Sequence, residues 1–290
     1  LELSGWDVAV VCAKAVTYAA TLGAAGAVFF LAYSGSLLHE LLRSRIRRLI
    51  GTLLLASALA SCARILLSGA SMSGEVGGMF DSGFVRMILG AGEGRATGMR
   101  MAGLALAALA IPSNPRFRAL ALLGAAAASI SFAGVGHIRG LLPNAAPLLL
   151  LCVHLLCVTF WLGALGPLLI AARDGSDTQI ALLASRFGKL ALGVVVLLLA
   201  AGAGVLWAVI RDAAQFWSSD YGLMMAMKLL MVAALLSTAA VNKLYLTPKL
   251  LSGHARAVIL FRRSVKTELV IGALILLITA TFTTVAGPPK

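Results

Sequence analysis

Residues 190 to 210 read Leu-Ala-Leu-Gly-Val-Val-Val-Leu-Leu-Leu-Ala-Ala-Gly-Ala-Gly-Val-Leu-Trp-Ala-Val-Ile, with Lys189 before them and Arg211 after them. No charge interrupts the run. A helix of about 20 apolar residues crosses a hydrocarbon core of roughly 30 Å. Backbone N–H and C=O groups meet no water there, so the segment must close its hydrogen bonds within itself, as a helix. A membrane β-strand would alternate apolar and polar residues, and this run does not.

Outward from this stretch the same pattern recurs. Apolar runs are expected to span at about 8–38, 49–67, 99–111, 119–135, 145–172, 223–241 and 267–285, with a short interfacial helix near 79–89. The first run is long enough to tilt or to extend past the bilayer. Of the 290 residues, 60% are hydrophobic and 12% charged, and mean hydropathy is +0.98. Soluble domains carry about 25% charged residues, so this chain cannot coat a water-facing globule. The expected fold is all-α: a polytopic integral membrane helical bundle with about eight transmembrane helices, forming one domain over 1–290.

The net charge is +13. Such an excess on a soluble protein would suggest nucleic acid. Here the bases gather in short segments between apolar runs, which marks orientation instead, and no nucleic-acid partner is expected. One set is Arg43, Arg45, Arg47, Arg48, Arg116, Arg118, Arg173, Arg186, Lys189, Lys243, Lys249, Arg256, Arg262, Arg263 and Lys266. The opposite side holds Arg86, Arg95, Arg139, Arg211 and Lys290. The positive-inside rule puts the larger set in the cytoplasm and both termini outside. Glu2, Asp7, Glu75, Asp81, Glu93, Asp212 and Asp220 fall on the outer side in agreement. The first residues lack a basic start, so no ordinary secretory signal is expected within this chain.

All nine methionines lie in the outer half: Met72, Met79, Met87, Met99, Met101, Met224, Met225, Met227 and Met231. A thioether is a neutral, soft ligand suited to Cu(I), and it forms no disulfide in an oxidising compartment. Met224, Met227 and Met231 recur at helical spacing. Methionine is also an ordinary apolar filler of helices, and both readings stand at this point. His154 falls inside a span, where histidine is costly and points to function. His137 lies at the outer end of the preceding span, with a short connection between them. Imidazole binds copper. Interhelical hydrogen bonding is the plain alternative for His154. Cys12, Cys62, Cys152 and Cys157 sit in apolar runs and read as packing, not as a disulfide framework. Our candidate metal ligands are therefore His137, His154, Met99, Met224, Met227 and Met231.

Lys14, Arg64, Arg100 and Lys228 fall within or near spans. Arg64 and Arg100 are close enough to the outer ends to snorkel. Lys228 lies deeper and needs a carboxylate, for which Asp7, Asp81 and Glu93 are candidates, or a wet cavity where it gates ion passage. No hydrolase, kinase or nucleotide motif occurs; Gly90-Ala91-Gly92-Glu93-Gly94 fits neither a P-loop nor a dinucleotide fingerprint. No enzyme is expected.

Three stretches resemble the copper resistance protein D family of inner-membrane proteins. The first is Gly136-His137, then His154 followed by Trp161-Leu162-Gly163. The second is Tyr221-Gly222, Lys228 and Asn242-Lys243 through Pro248. The third is Phe261-Arg262-Arg263-Ser264-Val265 leading to Glu268 and a last span. Together they cover about the C-terminal half; the N-terminal half is similar in its layout of spans. The resemblance implies eight transmembrane helices in a bacterial inner membrane and a role in copper transport or tolerance, with the copper ion as cargo. It also implies that Trp161, Asn242 and Glu268 join Lys228 as pathway or gating residues. A periplasmic CopC-like copper-binding protein is the implied partner, beside the lipid bilayer. The family often has an acid three residues before the histidine of the first stretch; here that residue is Leu151.

A second reading comes from the four histidines, His39, His137, His154 and His254. Two lie toward each side of the membrane, which suits a bis-His haem-binding electron carrier.

Overall fold

The computed structural model of the chain describes residues 4–112, 114–135, 145–210, 213–254 and 256–285. Helix α1 spans Gly5–Ser34, α2 Glu40–Ser73, α3 Ser82–Gly90, α4 Gly92–Ala107, α5 Arg118–Ile130 and α6 Ala145–Asp174. Then come α7 at Asp177–Val209, the short α8 at Ala213–Trp217, α9 at Asp220–Val241, α10 at Thr247–Leu251 and α11 at Ala257–Val285. No strand occurs among the described residues, and the fold is all-α.

Among the described residues, seven helical stretches are long and apolar enough to cross a membrane: Gly5–Leu37, Glu40–Ser73, Pro115–Gly134, Ala145–Asp174, Asp177–Val209, Asp220–Leu251 and Ala257–Val285. The expected eighth is α4. It has 16 residues, extends by a 3₁₀ turn at Ala108–Ala110, and carries Glu93, Arg95 and Arg100. It is nevertheless packed as a bundle helix. A Cβ on Gly103 would meet the Ala128 N at 2.6 Å, and one on Gly124 would meet the Gly103 O at 2.6 Å. Small residues here let the backbones of α4 and α5 touch.

Several helices are longer than their apolar runs. Helix α2 begins at Glu40, so Arg43, Arg45, Arg47 and Arg48 lie on helix and not in a loop. Helix α7 begins at Asp177, which puts Arg186 and Lys189 on helix too, and α11 begins at Ala257. Arginine and lysine are good helix formers, and their stems lie along apolar surface while the charge reaches water. Side chains mark the true starts. Ser176 Oγ accepts from the Gln179 N–H at 3.3 Å, and Ser219 Oγ from the Gly222 N–H at 3.0 Å. At the start of α1, Ser4 and Asp7 form a reciprocal capping box. The interfacial helix expected near 79–89 is α3, capped by Asp81.

Helix α1 is the centre of the bundle, packed on α2, α5, α6 and α11. Its contact with α6 is backbone on backbone. A Cβ on Gly163 would meet the Leu22 O at 2.6 Å, and a Cβ on Gly26 would run into the Thr159 O and Gly163 Cα. Only glycine fits at either place. The crossing fixes α6, the helix that carries His154 and Trp161.

Candidate functional site

His154 lies on α6 against α7. Its Nδ1 is 3.3 Å from the Leu198 carbonyl oxygen. A carbonyl only accepts, so Nδ1 carries the proton and Nε2 keeps its lone pair. Histidines that hold metals are commonly oriented in this way, by a backbone carbonyl on the other ring nitrogen. Gly202 makes the room: a Cβ there would stand 3.0 Å from Nδ1 and 3.1 Å from Cε1. The glycines of the 190–210 run thus have a use that hydropathy does not reveal.

Lys228 lies on α9. Its Nζ stands 5.6 Å from the centre of the Phe282 ring, a cation–π contact. The three acids proposed as its partners are engaged elsewhere. Asp7 accepts from Ser71 at 2.7 Å, Asp81 caps α3 through the Gly83 and Phe84 N–H groups, and Glu93 pairs with Arg64. Among the described residues Lys228 has no ion pair.

The methionines are divided. Met224 packs on a small cluster of Val209, Phe216, Tyr221 and Phe282, and Met231 packs against the main core. Met227 is 51% exposed and Met99 42% exposed, so both face outward from the bundle. Met99 sits on α4, whose main neighbours are α5 and α3, away from α9. His137 lies outside the described residues. Among the described residues no three His, Cys, Asp or Glu side chains gather to hold a metal ion. All four cysteines are free, and Cys157 is buried in the core.

The remaining residues expected on the pathway do converge. Glu268 on α11 is 3% exposed. The Asn242 Nδ2 donates to its Oε1, and the Trp161 indole, itself 2% exposed, lies on the facing helix α6. Asn242 opens a π-turn, Asn242–Leu246, that joins α9 to α10. Such turns free backbone groups and often mark functional positions; here the Asn242 carbonyl oxygen is bonded by Thr247 Oγ1 at 2.8 Å. The Asn242 Oδ1 is buried without a donor among the described residues. A buried carboxylate beside an unsatisfied carbonyl is a place where a cation or a proton is stabilised. His154 and Trp161 are seven residues apart on α6, hence on one face and about 10 Å apart along the axis.

A second buried polar group lies at the opposite end of the chain. Arg64 and Arg100 do not snorkel, because both side chains turn inward. Arg64 pairs with Glu93, and Arg100 is fully buried, donating to Ser131 Oγ at 3.2 Å and Ser61 Oγ at 3.4 Å. Its guanidinium lies 4.3 Å from the Phe132 ring centre. Nearby, Lys14 donates to the Thr283 carbonyl at 3.0 Å and to Thr284 Oγ1 at 3.1 Å. The signal for this grouping was present: Glu93, Thr97 and Arg100 recur at helical spacing on α4.

The other two histidines have plain duties. The His39 Nδ1 caps α2 by accepting from the Leu42 N–H at 3.4 Å, and the exposed His254 shares a 2.8 Å hydrogen bond with Ser252. They offer no support for paired haem ligands.

Residues 5–140 match the family model for the copper resistance protein D-like N-terminal domain, and residues 181–282 match that for copper resistance protein D. The second match contains Lys228, Asn242 and Glu268; His154 and Trp161 lie between the two. No curated protein and no solved structure matches the chain.

Proposed function

The chain belongs to the copper resistance protein D family, which gives it a role in copper resistance and homeostasis, and from that membership we propose that it carries copper ions through the bilayer. In this reading it is a carrier and not an enzyme. The two matched parts act as one membrane unit, a reading supported by the packing of α1 against α6 and α11. The membrane is the bacterial inner membrane, with both termini periplasmic, a placement that rests on the charge asymmetry of the sequence. Copper is taken up at the periplasmic face, delivered by a CopC-like protein. His137, His154, Met224 and Met231 are the donors; Met227, exposed on the same helix as the two methionines, guides ions toward them, and Met99, on α4 and away from α9, takes no part. Lys228 gates the site by its charge. The ion or a compensating proton then passes Trp161, Asn242 and Glu268, one step inward along α6.

The observation that carries this reading is the anchored ring of His154, whose free nitrogen stands two helical turns from a buried carboxylate without a cation. A His154→Ala variant tests it. Cu(I) affinity, measured by competition with a chromogenic chelator, is expected to fall at least about tenfold, or about 1.4 kcal/mol. Initial copper uptake into reconstituted vesicles should fall with it. Unchanged affinity and uptake in a folded variant would remove His154 from the path.

A further inference from the structure

At the arginine-rich end of the bundle a cleft of about 620 Å³ opens between the end of α1, the start of α2, the end of α4 and the start of α5. Arg43, Arg47, Arg118 and Arg186 line it, with Glu40 as the one carboxylate. Three of the guanidiniums donate to neutral oxygens, and Arg43 also stands 3.8 Å from Glu40 Oε2. Arg43 donates to the Gly35 carbonyl through Nε at 3.2 Å and Nη2 at 2.7 Å, Arg118 donates to the Ala32 carbonyl, and Arg186 reaches Ser36 Oγ at 3.4 Å. Neutral oxygens, two carbonyls and a hydroxyl, orient these groups without neutralising them. Arg47 takes the Glu40 Oε1 at 3.1 Å, so one carboxylate is shared between two of the four guanidiniums. The cleft therefore keeps a surplus of positive charge. Its other wall is apolar, built from residues such as Leu109 and Leu122. That wall continues onto the outer surface of α5, where Leu123 is exposed.

We propose that this cleft binds an anionic phospholipid, its phosphate among Arg43, Arg118 and Arg186 and an acyl chain along Leu109 and Leu122. Guanidinium forks match phosphate oxygens in geometry and charge. Basic pockets between membrane helices on the cytoplasmic side take acidic headgroups for this reason. A free phosphate would use the arginines but not the apolar wall, and a zwitterionic lipid would use the wall but gain little from the charge surplus. The site is separate from the copper path and does not depend on it.

Native mass spectrometry of the full chain in mild detergent tests the assignment, with phosphatidylglycerol, phosphatidylcholine and inorganic phosphate as probes. Phosphatidylglycerol should bind at least tenfold more tightly than phosphatidylcholine. The double variant Arg43→Gln/Arg118→Gln should lose that preference, while Arg262→Gln/Arg263→Gln, outside the cleft, should keep it. Leu122→Trp, which fills the wall and leaves every charge in place, should also lose phosphatidylglycerol. Equal binding of the two lipids by the wild type overturns the proposal, and it needs no variant to fold. Retention of the preference by both cleft variants overturns it as well. Displacement of phosphatidylglycerol by an equal concentration of phosphate would assign the cleft to the free ion and end the lipid reading.

Discussion

Around α1, α2 and α4 three cations are buried, Arg64 paired with Glu93 and Arg100 and Lys14 held by neutral oxygens; at the seam of α6 and α11, Glu268 is held by the neutral Asn242 near Trp161 and makes no ion pair among the described residues. The first grouping ties helices together. Its donors reach Ser61 on α2, Ser131 after α5 and the Thr283 carbonyl on α11, so each bond crosses between elements far apart in the chain. The second joins fewer elements and leaves an acceptor, Asn242 Oδ1, with nothing to accept from. The first grouping also has spare groups, since Arg64 Nε and Arg100 Nη2 are buried without acceptors among the described residues, but spare donors on fixed guanidiniums repel a mobile cation, whereas a spare acceptor beside a carboxylate attracts one. We read the first as a clamp and propose the second as a relay, a difference that can be tested from both ends.

The largest effect should come from Glu93→Ala. It leaves Arg64 buried without its partner, and breaking one half of such a pair costs about 3–5 kcal/mol. We expect a clear loss of thermal stability in detergent, with copper uptake per folded molecule preserved. A loss of uptake at unchanged stability would make this grouping part of the path and dissolve the distinction. Glu268→Gln should do the reverse. The amide keeps the size of the side chain and its hydrogen-bonding oxygen but cannot hold a charge. Uptake should fall about tenfold, equal to about 1.4 kcal/mol of barrier, while the melting temperature moves little. Full uptake by this variant would make Glu268 a packing residue.

The two groupings were unequally legible in the sequence. Apolar runs announced the helices, because hydropathy reads lipid contact directly. They understated the lengths of α2, α7 and α11, since the extensions set Arg and Lys among their apolar residues and so break the uncharged run. Trp161, Asn242 and Glu268 were marked by resemblance, and their convergence needed three helices to be placed. Arg64 and Arg100 were read as snorkelling because distance along a helix does not tell which way a long side chain turns. The direction was set by Glu93, Ser61 and Ser131, which the folded chain brings from α4, α2 and the turn after α5. Lys228 was given acidic partners on the same logic of nearness to the outer face, and all three acids proved to be capping or pairing other groups.

The smallest effect is the most selective for the relay. Gly202→Ala adds one methyl carbon 3.0–3.1 Å from the His154 ring, closer than ordinary packing allows. The ring can yield by a few tenths of an ångström, so the fold should tolerate the change at a cost of about 1 kcal/mol or less. A shifted ring no longer meets the Leu198 carbonyl squarely, and the free nitrogen turns with it. Removal of such an outer partner lowers metal affinity by roughly 10- to 100-fold elsewhere; here the bond is bent and not removed, so we expect about three- to fivefold weaker Cu(I) binding. The same methyl carbon lies far from Arg64 and Glu93, and thermal stability should report almost nothing. Stability lost without any change in copper affinity would mean that His154 is simply one more packed side chain between α6 and α7, and the contrast between clamp and relay would then rest on Glu268 alone.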